Sequence, residues 1–87
     1  MEIGIKLRLI REMAGLSREA FAEMTGVPAA TVKRYETGRI ANIGSETLLK
    51  ITQNKLFYKY TLWLMTDQTA PESGQISPNI LSKLQDG

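Results

Sequence analysis

The stretch Gly15–Gly38, GLSREAFAEMTGVPAATVKRYETG, reads as two short helices across a tight turn. Gly15-Leu16 stops whatever precedes it. Ser17 stands as an N-cap, its hydroxyl placed to accept from the orphan N–H groups of the turn that follows. Ala20, Phe21 and Met24 share one helical face. Thr25-Gly26-Val27 breaks the pattern, and Gly26 is free to take positive φ. A second helix begins at or near Pro28, where a missing N–H costs nothing. It runs through Thr31-Val32-Lys33-Arg34-Tyr35-Glu36 and stops before Gly38, a C-cap candidate. Two short helices crossed steeply about a Gly-containing turn form a helix-turn-helix, whose second member can enter a DNA major groove.

Composition agrees with that reading. Eighty-seven residues make one domain, near the lower end of what a single core stabilises alone. The chain has no cysteine and no histidine, which removes disulfides, thiolate nucleophiles and His-based acid–base chemistry and leaves no zinc site to expect. No apolar run reaches the length of a membrane span and no signal-peptide pattern opens the chain, so a soluble cytoplasmic protein is expected. Residues 1–65 hold 10 Lys and Arg against 6 Glu, a net +4, whereas residues 66–87 carry Lys83 against Asp67, Glu72 and Asp86, a net −2. The helical body is the basic part, as a polyanion partner requires, although ordinary charge scatter gives the same numbers.

Outward from the central pair, the periodicity predicts an all-α body of five helices. The first covers about residues 2–14, with Ile3, Leu7, Ile10 and Ala14 as a core-facing stripe. Arg39 to Gly44 is a loop. Ser45 caps a fourth helix over about 45–53, whose apolar face is Leu48 and Leu49, with Ile51 at its edge. The fifth spans about 56–66 and closes a domain of residues 1–66. The tail, 67–87, is rich in Pro, Gly and Ser and is expected to be partly extended or disordered, with one short extended piece at Gly74–Ser77 and a weak helical turn at Asn79–Leu84.

The fifth helix is too apolar for one partner. At roughly 100° per residue, Phe57, Tyr60 and Leu64 form one stripe and Tyr58, Leu62 and Met65 a second, while Trp63 points away from both. A second copy of the chain is the simplest cover, which makes Phe57, Tyr58, Thr61, Leu62, Trp63, Met65 and Ile76 the candidate dimer interface. The alternative is that one stripe packs on the body and the tail folds over the other.

Residues 3 to about 53 resemble the Cro/repressor type of helix-turn-helix domain. The matching pattern is Ile3-Gly4, Leu7, Arg11, Gly15-Leu16-Ser17, Phe21-Ala22, Thr25-Gly26-Val27, Thr31-Val32 and Arg34-Tyr35-Glu36-Thr37-Gly38-Arg39. Lys59–Thr66 and Ala70–Ile76 resemble a narrower group, the small immunity repressors of peduovirus-type temperate phages. Pro28 departs from the pattern where a Ser or Thr usually caps the recognition helix, and Ala20 stands where a Glu would complete a capping box with Ser17.

The resemblance implies a sequence-specific repressor that binds double-stranded operator DNA as a homodimer and blocks a lytic promoter to maintain lysogeny. For the narrower group it also implies directly repeated half-sites, which fits a two-fold dimer only with a flexible interface or a bent DNA. Carried over by position, Ala29, Ala30, Lys33 and Arg34 face the major groove. The alanines offer only apolar contact, for example to a thymine methyl, and Arg34 is the candidate for a bidentate guanine contact. Arg18, Thr31, Thr37, Arg39 and Asn42 are candidate phosphate contacts. A solvated helix face or plain surface is the other reading of all these polar positions. Arg11 and Glu36 match a salt bridge between the first helix and the end of the recognition helix.

No strand carries a phosphate-binding Gly loop and no Ser sits in a nucleophile elbow, so neither an enzyme nor a bound cofactor or small-molecule ligand is expected. Relief of repression then falls to another protein, an anti-repressor, or to dilution of the dimer. Two other functions share the fold: an antitoxin that autoregulates its operon, and an interaction module without DNA binding, against which Arg18, Lys33, Arg34 and Arg39 all argue.

Overall fold

In the computed structural model, residues 1–78 are described. Four α-helices come first: α1 (Ile3–Met13), α2 (Arg18–Thr25), α3 (Ala29–Glu36) and α4 (Ser45–Thr52). A 3-10 turn at Tyr58–Tyr60 then runs into α5 (Thr61–Thr66), and a second 3-10 turn occupies Pro71–Ser73. Among the described residues there is no sheet. The extended piece expected at Gly74–Ser77 amounts to an isolated antiparallel bridge between Ala70 and Gln75. The helical turn expected at Asn79–Leu84 lies outside the described residues.

One core gathers side chains from every helix. Leu7 and Ile10 of α1, Phe21 of α2, Val32 and Tyr35 of α3 and Ile51 of α4 are buried together with Val27, Phe57, Tyr60, Trp63 and Leu64. Phe21 and Phe57 meet ring to ring, their centroids 5.0 Å apart and their planes tilted by 53°, a favourable aromatic arrangement. This contact joins the helix-turn-helix to the segment that leads into α5.

Four expectations about local faces are corrected. Met24 is exposed and is not on the core face of α2. On α4 it is Ile51 that is fully buried, while Leu49 points outward. Gly44, not Ser45, is the N-cap of α4, and no side chain caps it. The fifth helix is not continuous from residue 56. Its first part is a 3-10 turn, which advances about 120° per residue instead of 100°. The shift in phase brings Trp63 inward.

Trp63 is 6% exposed and Phe57 is fully buried, so both serve the protomer's own core and leave the candidate dimer interface.

The tail does fold back, but beside the second stripe, not over it. Gln75 Oε1 accepts from the backbone N–H of Leu62 at 3.0 Å, and Gln75 Nε2 donates to the carbonyl of Tyr58 at 3.2 Å. Ile76 N–H donates to the Lys59 carbonyl at 2.9 Å. α5 has no cap from its own N-terminus, and Gln75 supplies an acceptor to one of its orphan donors. Tyr58, Met65 and Ile76 stay exposed.

Candidate nucleic-acid interface

The recognition helix is anchored from behind. Val32 and Tyr35, three residues apart on α3, are buried. At 100° per residue their burial turns Ala30, Lys33, Arg34 and Thr37 to the opposite side, and all four are exposed. Ala29 and Thr31 flank that face and are half-buried. The helix thus presents methyl groups at its N-terminal turn and two cations further along. Pro28 occupies the N-cap without any side-chain cap bond, so Thr31 is the one polar side chain of the first turn.

The turn between α2 and α3 sets the crossing of the two helices. Gly26 takes φ +83°, a left-handed conformation that a side chain would strain. Thr25 Oγ1 donates to the Phe21 carbonyl and accepts from the Val27 N–H, which ties both sides of the turn to one hydroxyl. Asn54 Nδ2 donates to the Met24 carbonyl at 2.9 Å and holds the end of α2 from the segment after α4. At the start of α2, Ser17 Oγ accepts from the Ala20 N–H at 3.0 Å, the expected cap.

A second anchor is ionic. The side chain of Glu36 is 1% exposed and takes both Nε and Nη2 of Arg11, at 2.7 and 2.8 Å. Arg11 Nη1 donates in addition to the Leu16 carbonyl. These hydrogen bonds to Glu36 raise the guanidinium pKa above its ordinary value, against the opposing cost of burial. Arg18 Nε reaches the same carboxylate at 3.1 Å. One carboxylate at the end of α3 therefore ties α1 and the first residue of α2 to the recognition helix.

The flanking positions divide by what they already hold. Arg39 and Asn42 are exposed on the loop after α3. Thr37 donates its hydroxyl to the Lys33 carbonyl, so its proton serves its own helix. Arg18, half-buried and bound to Glu36, has a structural task in addition to any contact with an anion.

Comparison with known proteins fits this geometry. The helix-turn-helix family pattern matches residues 7–53, more than half of the chain. The chain belongs to the Cro/repressor type of the helix-turn-helix family. It is also 46% identical over 76 residues to Repressor protein C of Escherichia phage P2, covering 87% of this chain and 76% of that protein. Seventy-six residues are more than the first 53 can supply, so the likeness runs on into the segment that carries α5.

That segment carries the second surface of interest in this helix-turn-helix protein. Thr52, Tyr58, Thr61, Leu62, Met65, Ala70, Ser73 and Gln75 line an open, apolar groove of about 610 Å³. Of the residues expected at an interface, Tyr58, Thr61, Leu62 and Met65 come together here, and Ile76 lies exposed just beyond Gln75. Among the described residues no helix is long and apolar enough to cross a membrane.

Two contributors escaped the sequence reading. Lys6 is 4% exposed, and its Nζ donates to the carbonyls of Trp63 and Leu64 at 2.9 and 3.2 Å, lies 5.2 Å from the Trp63 ring centroid and pairs with Asp67. Gln75 is the other. Neither belongs to a local pattern, because their partners lie 57 and 13 residues away.

Proposed function

We propose that the chain is a sequence-specific transcriptional repressor of the phage type, which binds double-stranded operator DNA through α3 and does so as a homodimer. The outward face of α3 carries the proposal: buried Val32 and Tyr35 leave Ala30, Lys33 and Arg34 pointing into solvent on a helix whose angle is fixed by Glu36. Arg34 is assigned to a guanine edge, Lys33 to a base or phosphate, and Ala29 and Ala30 to thymine methyl groups. Arg39 and Asn42 are assigned to phosphates, with Arg18 and Thr31 at the margin. The likeness to a phage protein named as a repressor supports transfer of a repressor role to this chain. The target proposed for it is a lytic promoter.

Footprinting on the promoter region next to the gene, followed by gel shifts at several salt concentrations, tests the assignment. A protected site of defined sequence is expected, with affinity that falls steeply as salt rises. Replacing thymine by uracil within the half-site is expected to weaken binding where a methyl faces Ala29 or Ala30. Absence of protection together with salt-independent binding would refute the reading.

A further inference from the structure

Lysine is almost never fully buried unless it is paired, and Lys6 is buried. The contacts of its ammonium are with the C-terminal half of α5 and its cap. The carbonyls of Trp63 and Leu64 are among the last four of that helix, which have no onward partner within it apart from the Asp67 N–H on Trp63. Asp67 caps the helix at φ +62° and closes the cluster with its carboxylate. A lysine at a helix C-terminus is favoured by the helix dipole, but here it comes from a different helix, 57 residues earlier in the chain.

The same helix that carries Lys6 also fixes the recognition helix. Gly4 packs directly against the Tyr35 carbonyl, and Arg11 holds Glu36. α1 is therefore a strut with α3 on one side and the end of α5 on another. Burial of Trp63 and Leu64 sets how deep α5 sits, but hydrophobic contact is non-directional. Hydrogen bonds to two specified carbonyls set its angle, because they require near-linear geometry. Leu62 and Met65, which line the apolar groove, stand on the same turn as those carbonyls.

We infer that Lys6 is a positioning residue for operator geometry: by fixing the angle between the groove-bearing helix α5 and the recognition helix α3, it sets the half-site spacing that the dimer accepts. The inference rests on the proposed dimer at the α5 groove. The shortest extent of the protomer is 22 Å. Over a lever of that length a tilt of about 10° moves a recognition helix by about 4 Å, roughly one base-pair step. An ionic contact that fixes register, and contributes little net stability, is the best-attested use of a buried charge.

The test uses the full-length chain and an operator whose two half-sites footprinting has defined. Operators with one to three base pairs inserted or removed between the half-sites are titrated with wild type, Lys6→Met and Asp67→Asn. Asparagine tolerates the left-handed backbone at position 67 and removes only the charge. Wild type is expected to lose about tenfold or more in affinity per base pair of displacement. Both variants are expected to sediment as dimers, to bind an isolated half-site as wild type does and to lose less than about threefold. Loss of a merely structural contact would lower affinity at every spacing alike and would leave the shape of the profile unchanged. A folded, dimeric Lys6→Met with the wild-type spacing profile overturns the inference and leaves the dimer reading intact. Should Lys6→Met fail to fold, Asp67→Asn decides by the same criterion. A wild type that binds the operator as a monomer overturns both.

Discussion

The backbone carbonyl of Tyr35 occupies the space that a Cβ on Gly4 would need. The obstacle is main chain, not the end of a flexible side chain, so α1 and α3 can approach this closely only with glycine at position 4. Gly4→Ala is expected to push the two helices apart and to cost about 2–3 kcal/mol, the upper part of the range for overpacking. Denaturant unfolding measures it. A variant as stable as wild type would mean that α1 does not pack on α3 at this distance.

Glu36 is expected to matter more for the fold than for base preference. Glu36→Gln leaves Arg11 and Arg18 facing a neutral amide at a position whose carboxylate is almost wholly buried. Stranding one charge of a buried pair costs about 3–5 kcal/mol, and partial solvation of the two arginines lowers that to about 2–3 kcal/mol here. The unfolding midpoint is expected to fall while the ranking of operator variants is unchanged. A shift in ranking at constant stability would make Glu36 part of the reading surface. Arg18→Ala is expected to lower both stability and DNA affinity, since one side chain serves both.

Helix existence was legible because Leu7, Ile10, Phe21, Val32 and Tyr35 recur at helical spacing and because Gly15, Gly26 and Gly38 punctuate them, each at positive φ. The five-helix, all-α body follows from that periodicity and punctuation, and the Cro/repressor type from the resemblance of residues 3 to about 53. Side-chain direction was less legible: Met24 and Leu49 lie at the edge of short apolar stripes and point outward, and at α5 the backbone departs from the ideal period. A regular helix from residue 56 points Trp63 outward, and the 3-10 turn at Tyr58–Tyr60 brings it into the core. Lys6 and Gln75 were beyond reach for a different reason. A lysine on the flank of an amphipathic helix and a glutamine in a polar tail carry no local signal of a distant carbonyl or N–H.

Acid should loosen the end of α5. The hydrogen bond from Lys6 holds the Asp67 carboxyl below its ordinary range and outweighs an opposing desolvation cost, and the Lys6 charge and the Met1 ammonium add to the lowering. A carboxyl whose folded pKa is depressed adds stability above its unfolded value of about 3.9, and that stability is lost as pH falls through the folded value. Asp67→Asn is expected to remove this component, so its stability declines less steeply than that of wild type below about pH 4. Thermal melts between pH 2 and 7 check the slope. Parallel slopes would mean that Asp67 and Lys6 do not pair in solution.

Arg34 and Arg39 are expected to fail differently. Arg34→Ala should cost about 1–3 kcal/mol on the specific site and relax preference at one base step, because the side chain extends from the outward face of α3. Arg39→Ala should weaken specific and random DNA alike and lower the log–log salt slope by about one unit. Competition across single-base operator variants, repeated at several salt concentrations, separates the two. An unchanged preference profile for Arg34→Ala would remove it from base reading, and an unchanged slope for Arg39→Ala would remove it from phosphate binding.

Dimer formation is expected to depend on the rim of the α5 groove, and operator affinity on the dimer. Tyr58 and Met65 are 55% and 59% exposed and contribute nothing to the protomer core that their loss would disturb. Phe57 and Trp63 are buried, and changing them would unfold the protomer instead of separating two. Full burial of a fully exposed large apolar side chain is worth about 1.5–3 kcal/mol; Tyr58 and Met65 are little more than half exposed and each recurs on both sides of a two-fold axis, so four contributions of about half that size stand against the cost of association. Tyr58→Glu combined with Met65→Glu places two carboxylates opposite their symmetry mates and removes that gain. The double variant is expected to melt close to wild type, to sediment as a monomer and to bind the two-site operator more than about tenfold more weakly, because the second half-site no longer gains from linkage to the first. Binding to a single half-site should be unchanged, since α3 and its anchors at Val32, Tyr35 and Glu36 are untouched. A wild type that remains monomeric at micromolar concentration, or a double variant that remains dimeric, would place the interface elsewhere. The apolar groove lined by Leu62 and Thr61 would then need a different occupant.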